Sequence, residues 1–472
     1  MWSPVGYAGG NILASLGIRG STAEAFRHGT WWIHSLVVFA FIAAIPVTKA
    51  LHMFTGPAAV AARDQDVGRL LPHDPANGYS AVCEIVPRHR VGLDACTKCG
   101  RCHEVCPARA SQMPLSPRDL ILDLRDAQVE STTLAISPDV VGVDTVWSCM
   151  QCNACVDVCP VGVEHVPLIN MLRRGLVESG VFDSNLQSAF QAVQTTGNSF
   201  GQSPRRRTLW VKGLDMALPD ARTTPVDVLW FLGDYASLDP RNRANSQALA
   251  RLLQRAGVDV GILYESERTA GNDIRRAGEE GLFRSLAADN IEAMETCSFS
   301  RILTSDPHTY NTLRNEYPRL GAQWGADDVV HHTVLLRELL DQGQLRVTRP
   351  ITGRGTYHDP CTLGRLNGIY DQPRELIRAV GVNLVEMARN RGNSFCCGAG
   401  GGRIWMQDTA VGGAARPSEL RIAEASQIEG LEYFIVACPK DAVMYDDAIR
   451  ASGRADIQLL EVSALVEAAT LP

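Results

Sequence analysis

The sequence carries no excess of positive charge. Its 472 residues include 45 Lys and Arg against 52 Asp and Glu, for a formal net charge of -7, and no stripe of basic residues runs along any part of it. Proteins that bind nucleic acids rely on such basic surfaces, so we expect no nucleic-acid partner. A hydrophobic content of 45% indicates a folded protein, and the length predicts three or four domains of about 100–200 residues each.

Long apolar segments are also scarce, since only residues 31–54 (WWIHSLVVFAFIAAIPVTKALHMF) are apolar over a length that could cross a membrane. A transmembrane helix needs about 20 residues. We expect Trp31 and Trp32 at one interface and Lys49 at the other. The segment lacks the small-residue cleavage site of a signal peptide. We therefore predict one permanent membrane helix, kinked at Pro46.

Two histidines in this segment are candidate ligands. His34 and His52 lie 18 residues apart, which on one helix is roughly 27 Å and places both on the same helix face. They would then lie near opposite faces of the membrane. The segment, with its HMFTGP ending, resembles the last haem-bearing helix of the cytochrome b subunit of respiratory nitrate reductases, which implies haem b. Each iron needs a second ligand, so either a partner supplies it or upstream helices were lost. Interfacial histidines are the alternative.

Cysteine, in contrast, is abundant and patterned. Two copies of C-x2-C-x2-C-x3-C-P begin at Cys96 and Cys149, the spacing of a two-cluster bacterial ferredoxin, in which the fourth cysteine of each motif ligates the other cluster. Two zinc sites or a disulfide framework would not explain the proline and the third cysteine in both copies. We predict one [4Fe–4S] cluster on Cys96, Cys99, Cys102 and Cys159, and a second on Cys149, Cys152, Cys155 and Cys106.

The surroundings of these motifs indicate an all-helical ferredoxin. Residues 116–130 and 166–180 have helical periodicity, so the motifs lie among helices. Residues 186–225 show no strong period and read as a linker. Twelve of the 14 cysteines fall in cluster-like spacings, which indicates reduced thiols on the cytoplasmic side. Cys83 and Cys297 fall outside them and are expected to be ordinary thiols.

The second half contains a duplication. Positions 234 and 269 are 35 residues apart, as are 361 and 396, and each copy places its first and last sites after apolar, strand-like runs. We predict two related α/β units. The later copy has four thiols where the earlier one has no cysteine: Cys361, Cys396, Cys397 and Cys438 are matched by Asp234, Thr269, Ala270 and Asp306.

The four later thiols are enough for a third cluster, a [4Fe–4S] cluster or a variant. Gly398 and the run Gly400 to Gly402 follow the cysteine pair, and glycine there would let the backbone come close to the metal. A phosphate loop or a redox disulfide are the alternatives, although no GK[ST] ending follows the glycines. Because Fe–S clusters select soft thiolates, we predict no cluster in the earlier copy.

Together these motifs resemble the heterodisulfide-reductase-related iron–sulfur oxidoreductases, whose hallmark is the CCG domain. The resemblance is strongest to the membrane-bound electron-transfer-flavoprotein:quinone oxidoreductases, and covers nearly the whole chain. It is carried by DACTKCGRCHEVCPA, WSCMQCNACVDVCPV, TSDPHTYNTLRNEYP, TYHDPCTLGRLNGIYDQPRE and SFCCGAGGGRIWM. The family has several membrane helices, whereas this chain has one. Its second CCG unit ends in C-P-x-C, whereas here Asp441 replaces the final cysteine, which leaves a cubane or a variant cluster open.

The resemblance implies an iron–sulfur oxidoreductase that receives electrons from a soluble flavoprotein and passes them to a quinone or a cytochrome b subunit in the membrane. A disulfide or thiol reductase, the iron–sulfur subunit of a 2-hydroxy-acid oxidase such as glycolate or lactate oxidase, and a non-enzymatic adaptor are the alternatives. No catalytic residue is predicted. His358 and Asp359, beside Cys361, could deliver protons, but we favour a structural hydrogen bond.

We therefore predict a multidomain α and α/β protein in the cell membrane, crossing it once, with its iron–sulfur domains on the cytoplasmic side. It would comprise one transmembrane helix, an all-helical two-cluster ferredoxin domain and two related α/β units of CCG type. The predicted boundaries are 1–60 for the membrane segment, a remnant of a cytochrome b-like region, 61–185 for the ferredoxin domain, 186–225 for the linker, 226–345 for the unit without ligands, and 346–472 for the unit with the cluster site.

Overall fold

A computed structural model describes residues 3–64, 77–130, 133–407 and 414–471. As far as residue 196, the described residues form helices and no strand. Four helices, α1 to α4, precede the two cysteine motifs, and seven more, α5 to α11, lie within and after them. Their bounds are Pro4–Ser15, Ser21–Ala44, His52–Ala62, Pro87–Ala95, Arg101–Glu104, Pro107–Ala110, Pro117–Glu130, Val143–Trp147, Ala154–Asp157, His165–Glu178 and Ser184–Thr196.

The apolar N-terminal helix α2 differs from its predicted bounds. It begins at Ser21 and ends at Ala44, and the chain continues in two short 3-10 turns as far as Leu51. Pro46 lies in the first of these turns, and its missing N–H and its ring both disfavour a continuous α-helix. The kink at Pro46 is confirmed, but a single helix over 31–54 is wrong. The predicted interfacial role of the Lys49 side chain lies outside the described part of the structure.

Helix α3 packs on the ferredoxin region rather than extending α2. It lies against α4, and at Gly56 a Cβ atom would come within 3.6 Å of Val161, just after the second motif. A valine of α3, Val60, similarly lies beside Gly162. Residues 52–62 therefore belong to the ferredoxin body and not, as the predicted boundary at residue 60 implied, to the membrane segment.

The ferredoxin region is all-helical, as predicted. The helices expected at 116–130 and 166–180 are α7 and α10. The linker predicted over 186–225 is wrong, because α11 occupies its first part and buries Leu186, Phe190 and Val193. Local signals for this helix were present: the Asp183 side chain caps its first turn, and Gly197 ends it at φ 70°.

The second half forms two α/β units with the same topology. The first contains a parallel sheet in the order β2-β1-β3-β4, and the second a parallel sheet in the order β6-β5-β7-β8. This equivalence confirms the predicted duplication. The strands β1 to β8 are Val228–Trp230, Val260–Gly261, Arg301–Thr304, Val329–His331, Arg354–Tyr357, Asn383–Leu384, Leu431–Val436 and Gln458–Glu461.

Helices cover these sheets and join the two units. Helix α13 of the first unit packs on α22 of the second, and α17 packs on α19 in the equivalent manner. A buried hydrogen bond of 2.8 Å between His332 Nε2 and Glu461 Oε1 crosses the same interface. The helices α12 to α22 are Asp234–Leu238, Arg243–Arg255, Asn272–Arg276, Glu280–Glu295, Pro307–Asn311, His332–Asp341, Cys361–Gly364, Asp371–Ala379, Pro417–Ala425, Pro439–Ala451 and Val462–Ala469.

Candidate iron–sulfur sites

The two ferredoxin motifs adopt the same local backbone. In each, the second and fourth residues after the first cysteine have positive φ: Lys98 (58°) and Gly100 (83°) in one motif, Gln151 (49°) and Asn153 (65°) in the other. These left-handed residues turn the chain tightly, so that a short helix, α5 or α9, begins directly after each turn. The repeated cysteine spacing is thus matched by a repeated loop.

The structure gathers the eight ferredoxin cysteines into two groups. Cys102 lies near enough to Cys96, Cys99 and Cys159 for their charges to interact, and burial raises its pKa to about 12. In the other group, the buried Cys155 is surrounded by Cys149, Cys152 and Cys106. Each group joins three thiols of one motif with the fourth thiol of the other. The second group is fully buried, whereas Cys99 of the first is exposed and Cys96 and Cys159 are partly buried. Four neighbouring thiols suit a metal cluster, whose charge deprotonates its ligands.

The cysteines of the second α/β unit lie where two neighbouring strands end. Cys361 follows β5 and begins α18, and Cys438 follows β7 and precedes α21. From β5 the chain crosses to β6 on one side, and β7 lies on the other. Ligands of open parallel sheets bind at such a switch point, outside the carboxyl ends of the strands. The Cys396-Cys397 pair, both buried, completes the group.

This group of thiols touches the ferredoxin region directly. The Cys396 thiol lies close enough to interact with Cys361 and Cys397 in its own unit and also with Cys152 of the second ferredoxin motif. Interaction with Cys396 lowers the pKa values of Cys152 and Cys361, and the positive charge of the Arg365 guanidinium also lowers both. Sequence spacing gave no sign of this contact.

Arg365 holds the junction together. Its guanidinium donates to the carbonyl oxygens of Gly392 (2.8 Å), Cys152 (3.1 Å) and Ser394. A single partly buried cation therefore spans the ferredoxin loop and the loop before the cysteine pair, beside three thiols. We did not identify Arg365 from the sequence, because its partners are carbonyl groups that leave no sequence pattern.

The glycine run after Cys397 packs against protein. A Cβ atom at Gly400 would lie 2.5 Å from the carbonyl oxygen of Met150, in the second ferredoxin motif, and one at Gly401 would lie 2.9 Å from Arg173. These contacts require glycine at both positions. The run was expected to bring the backbone near a metal. At these two positions it brings the backbone of the α/β unit against the ferredoxin loop.

Asp441, which replaces the final cysteine of C-P-x-C, faces the thiol group. It lies in the first turn of α21 and is 2% exposed. Burial raises its pKa to about 7, whereas a hydrogen bond with Cys397 acts in the opposite direction. Its Oδ2 atom is buried without a hydrogen-bond partner among the described residues. The four CCG thiols together with this buried carboxylate oxygen are a donor set that could hold an iron–sulfur cluster.

The earlier α/β unit uses its corresponding residues as structural groups. Asp234 accepts hydrogen bonds from the backbone N–H and hydroxyl of Ser199 and forms a buried ion pair with Arg207. Arg207 also binds Glu267, at 3.1 Å. Ala270 is buried and has no ligating atom. The charges at the first site are thus compensated within the protein.

The last position of the earlier unit lies against the later unit. Asp306, His308 and Cys438 place their ligating atoms within 4.8 Å of one another, all buried. Asp306 already accepts hydrogen bonds from the His308 N–H (2.9 Å) and the Thr309 hydroxyl (3.1 Å), and His308 contacts Thr362. The two halves of the duplication therefore meet at their ligand-bearing edges.

Asp234→Ala should lower the stability of the protein without changing its iron content. Removing this carboxylate leaves Arg207 with a buried charge that Glu267 alone must balance, so we expect a loss of about 3 kcal/mol in the free energy of unfolding. Iron per chain should stay unchanged. Urea unfolding and iron analysis of the same anaerobic sample measure the two effects, and a loss of iron proportionate to the loss of stability would contradict the assignment.

His358 and Asp359 are fixed by structural contacts. His358 hydrogen-bonds with the Tyr445 hydroxyl, at 3.1 Å, and Asp359 receives two hydrogen bonds from Arg374, at 2.6 and 2.7 Å. These contacts agree with the structural hydrogen bond favoured from the sequence, and proton delivery by either residue stays a prediction. Cys83 is exposed and Cys297 is partly buried, and neither joins the thiol groups.

The two candidate haem ligands do not share a helix. His34 lies in α2, whereas His52 begins α3, beyond the break at 45–51. The predicted separation along one continuous helix, and the common helix face, are therefore wrong. Haem ligation by either histidine stays a prediction.

Comparisons with known proteins agree with a two-cluster ferredoxin region followed by two related α/β units. Residues 95–164 match the family model described as "4Fe-4S dicluster domain", and residues 228–314 and 355–440 each match "Cysteine-rich domain", or CCG. Both α/β units are thus CCG domains, including the earlier one, which has no cysteine at the ligand positions. The chain is an iron–sulfur oxidoreductase that binds [4Fe–4S] clusters.

Three relatives identify the family of the chain more narrowly. The chain is 33% identical to "Probable iron-sulfur-binding oxidoreductase FadF" of Bacillus subtilis, over 96% of this chain and 71% of that protein. It is 30% identical to "EtfAB:quinone oxidoreductase" of Syntrophomonas wolfei, over 95% and 68%. It is 31% identical to one subunit of the "Dihydromethanophenazine:CoB--CoM heterodisulfide reductase" of Methanosarcina barkeri, over 74% and 87%. The chain belongs to the heterodisulfide-reductase-related, CCG-domain iron–sulfur oxidoreductases.

Proposed function

We propose that this protein is a membrane-tethered oxidoreductase that passes electrons from a soluble flavoprotein towards the quinone pool. The observation that carries the proposal is the contact between the CCG thiols and the second ferredoxin group: Cys396 interacts with Cys152, and Arg365 donates to the carbonyl oxygens of both Cys152 and Ser394. The relative named EtfAB:quinone oxidoreductase supports both the donor and the acceptor.

Twelve of the cysteines form three proposed cluster sites, numbered from the membrane side to the CCG domain. We assign Cys96, Cys99, Cys102 and Cys159 to the first, Cys149, Cys152, Cys155 and Cys106 to the second, and Cys361, Cys396, Cys397 and Cys438 to the third. When bound, such clusters carry electrons and the protein sets their spacing and potential. Helix α3, which follows the membrane helix, packs beside Gly162, close after Cys159, so we take the first site as the one that faces the membrane.

Helix α2 supports the membrane tether. Among the described residues it is the one helix, with its 3-10 extension Ser21–Val47, that is long and apolar enough to cross a membrane. None of its residues is buried, and large apolar side chains such as Leu36 and Phe39 are more than 60% exposed. A membrane would cover this surface. Because the clusters need a reducing environment, we propose that the iron–sulfur domains lie on the cytoplasmic side.

His34 lies halfway along this candidate span. Intramembrane histidines are ligand candidates, so we retain haem b as a proposed cofactor, with a cytochrome b subunit as the partner that supplies the other axial ligand. Haem absorbance in membranes from cells that also express the neighbouring genes tests it, and its absence there would remove haem from the proposal.

Leu36→Arg should release the protein from membranes. An arginine near the centre of a span costs about 2.5–3.5 kcal/mol on insertion scales, so we expect the membrane-bound fraction to fall substantially. Fractionation of cell extracts measures it. Leu345→Met, a change within the soluble half, serves as the control. An unchanged distribution of the Leu36 variant would contradict the tether.

The electron-transfer proposal is tested with the anaerobic full-length protein in detergent or lipid. Iron and sulfide should each reach about twelve per chain for three clusters, whereas about eight would remove the CCG cluster. Adding a dithionite-free, enzymatically reduced electron-transferring flavoprotein should reduce the clusters, and a soluble quinone analogue should then reoxidise them. Clusters that stay oxidised with this donor would refute the proposed direction.

Disulfide reduction is the second candidate function. It is favoured by the similarity to one component of a heterodisulfide reductase and by a cavity of about 280 Å³ beside the CCG thiols, lined by Arg365, Phe395 and Asp157 among others. A disulfide reductase should consume a small disulfide when supplied with reducing equivalents and no quinone. An electron conduit should leave that disulfide unchanged, so the two activities are distinguished in one assay.

A further inference from the structure

We propose that Asp441 is a ligand of the CCG cluster and gives one of its irons an oxygen donor. This inference rests on the third cluster of the proposed function. Asp441 stands where a thiol would complete the pattern C-P-x-C, and its side chain contacts Cys397. It would make the set four thiolates and one carboxylate, on Cys361, Cys396, Cys397, Cys438 and Asp441.

The surroundings of Asp441 leave its charge without a partner. The closest ionisable nitrogen is Nε2 of His358, 3.7 Å from Oδ2, and burial lowers the pKa of that histidine well below its usual range. Lys440 is the next residue along the chain, but its ammonium forms an ion pair with Asp273. The buried carboxylate is therefore not neutralised by direct contact with a cation among the described residues.

A buried carboxylate in this state needs compensation. An unpaired ionised group in the interior is strongly disfavoured, and a buried oxygen without a partner calls for an explanation such as a bound ion. An iron beside Cys397 would supply the missing charge. The corresponding residue of the earlier unit, Thr309, instead donates its hydroxyl to Asp306 at 3.1 Å, so the same position has an ordinary hydrogen bond where the thiols are absent.

An oxygen ligand would distinguish one iron from the others. Thiolates are the soft donors that hold Fe–S clusters, and carboxylates are harder and less selective for them. The iron bound to Asp441 should therefore leave first when a chelator is added. Nearby, Tyr445 and His358 pack around the site and would orient the carboxylate as outer-shell groups do in other metal sites.

Three variants of the full-length protein test the inference. Asp441→Cys restores a thiolate, Asp441→Asn is isosteric and removes the charge, and Thr309→Cys places a cysteine at the matching position of the earlier unit as a control. Iron release to an added chelator is followed anaerobically, and ⁵⁷Fe Mössbauer spectra report whether one iron differs from the thiolate-bound irons.

In the wild type about one iron of twelve should leave in a separate fast phase, and Asp441→Cys should slow that phase at least about tenfold. Asp441→Asn, which removes one donor from that iron, should make the fast phase at least about tenfold faster. The distinct Mössbauer component should vanish in both variants, and Thr309→Cys should match the wild type. Because Asp441→Asn preserves side-chain shape, it tests whether Asp441 is a ligand even if Asp441→Cys does not fold.

Two results would overturn the inference. A wild type with twelve irons whose release and spectra are unaffected by either Asp441 variant would remove Asp441 as a ligand and leave the third cluster standing. A wild type with only about eight irons would remove the cluster and the ligand together. The iron count thus separates failure of the proposed function from failure of this inference.

Discussion

Cys397→Ser should eliminate the CCG cluster and, with it, electron transfer from the flavoprotein to the quinone. Cys397 is buried and lies close enough to Cys396 and Asp441 to interact with both. Serine has nearly the same shape but offers a hard oxygen in place of a soft thiolate. Changes in outer-shell groups already cost about 10–100-fold in metal affinity or activity, so loss of an inner ligand should reduce turnover by at least about 100-fold.

EPR spectroscopy of the reduced protein measures this outcome. One signal should disappear, while the pair from the ferredoxin clusters remains, because their thiols come from residues 96–159. Cys297→Ser is the matched control: this cysteine is partly buried, and its thiol donates to the Ala293 carbonyl oxygen, outside every thiol group. Retention of all signals and of full turnover in Cys397→Ser would show that the CCG thiols hold no cluster needed for transfer.

The sequence was sufficient for features set by local spacing. The two motifs predicted the grouping of Cys159 with the first three thiols of the other motif, and the shared 35-residue interval predicted two equivalent sheets. Cluster loops and duplicated strands repeat locally, so they leave a pattern in one dimension. The helix over 116–130 was predictable for the same reason, because its buried residues recur at helical spacing.

Features set by docking were not predictable in this way. The contact of Cys152 with Cys396 joins residues 244 positions apart, and Arg365 binds carbonyl groups that any sequence provides. The break after Ala44 also depends on context: Pro46 predicted a kink, but the separation of α3 from α2 follows from its packing on α4. Tertiary contacts that use backbone atoms leave no residue pattern to detect.

The largest loss of stability should come from Arg173, which joins the ferredoxin region to both CCG units. This residue of α10 has no exposed surface. Its guanidinium donates to carbonyl oxygens of all three parts: Cys149 in the ferredoxin loop, Arg276 in the first unit at 3.0 Å, and Gly401 in the second at 2.7 Å. It also lies over the Trp147 ring, 5.0 Å from the centroid.

Arg173→Met should therefore lower the free energy of unfolding by about 3–5 kcal/mol, because several buried carbonyl groups lose their only charged donor and each unsatisfied group costs about 1–3 kcal/mol. Methionine keeps the length and apolar character of the side chain, so the loss reports the hydrogen bonds rather than a large cavity. Anaerobic urea unfolding followed by tryptophan fluorescence measures the change.

The same substitution should loosen the contact between the second ferredoxin group and the CCG thiols, because Arg173 holds the loop of Cys149 against Gly401. We expect electron transfer from the CCG site to slow in Arg173→Met even where all clusters are retained. Arg206→Met, at an exposed arginine, should change neither stability nor transfer. A stability loss below about 1 kcal/mol in Arg173→Met, the worth of an ordinary hydrogen bond, would mean that the three parts are held together by their apolar contacts alone.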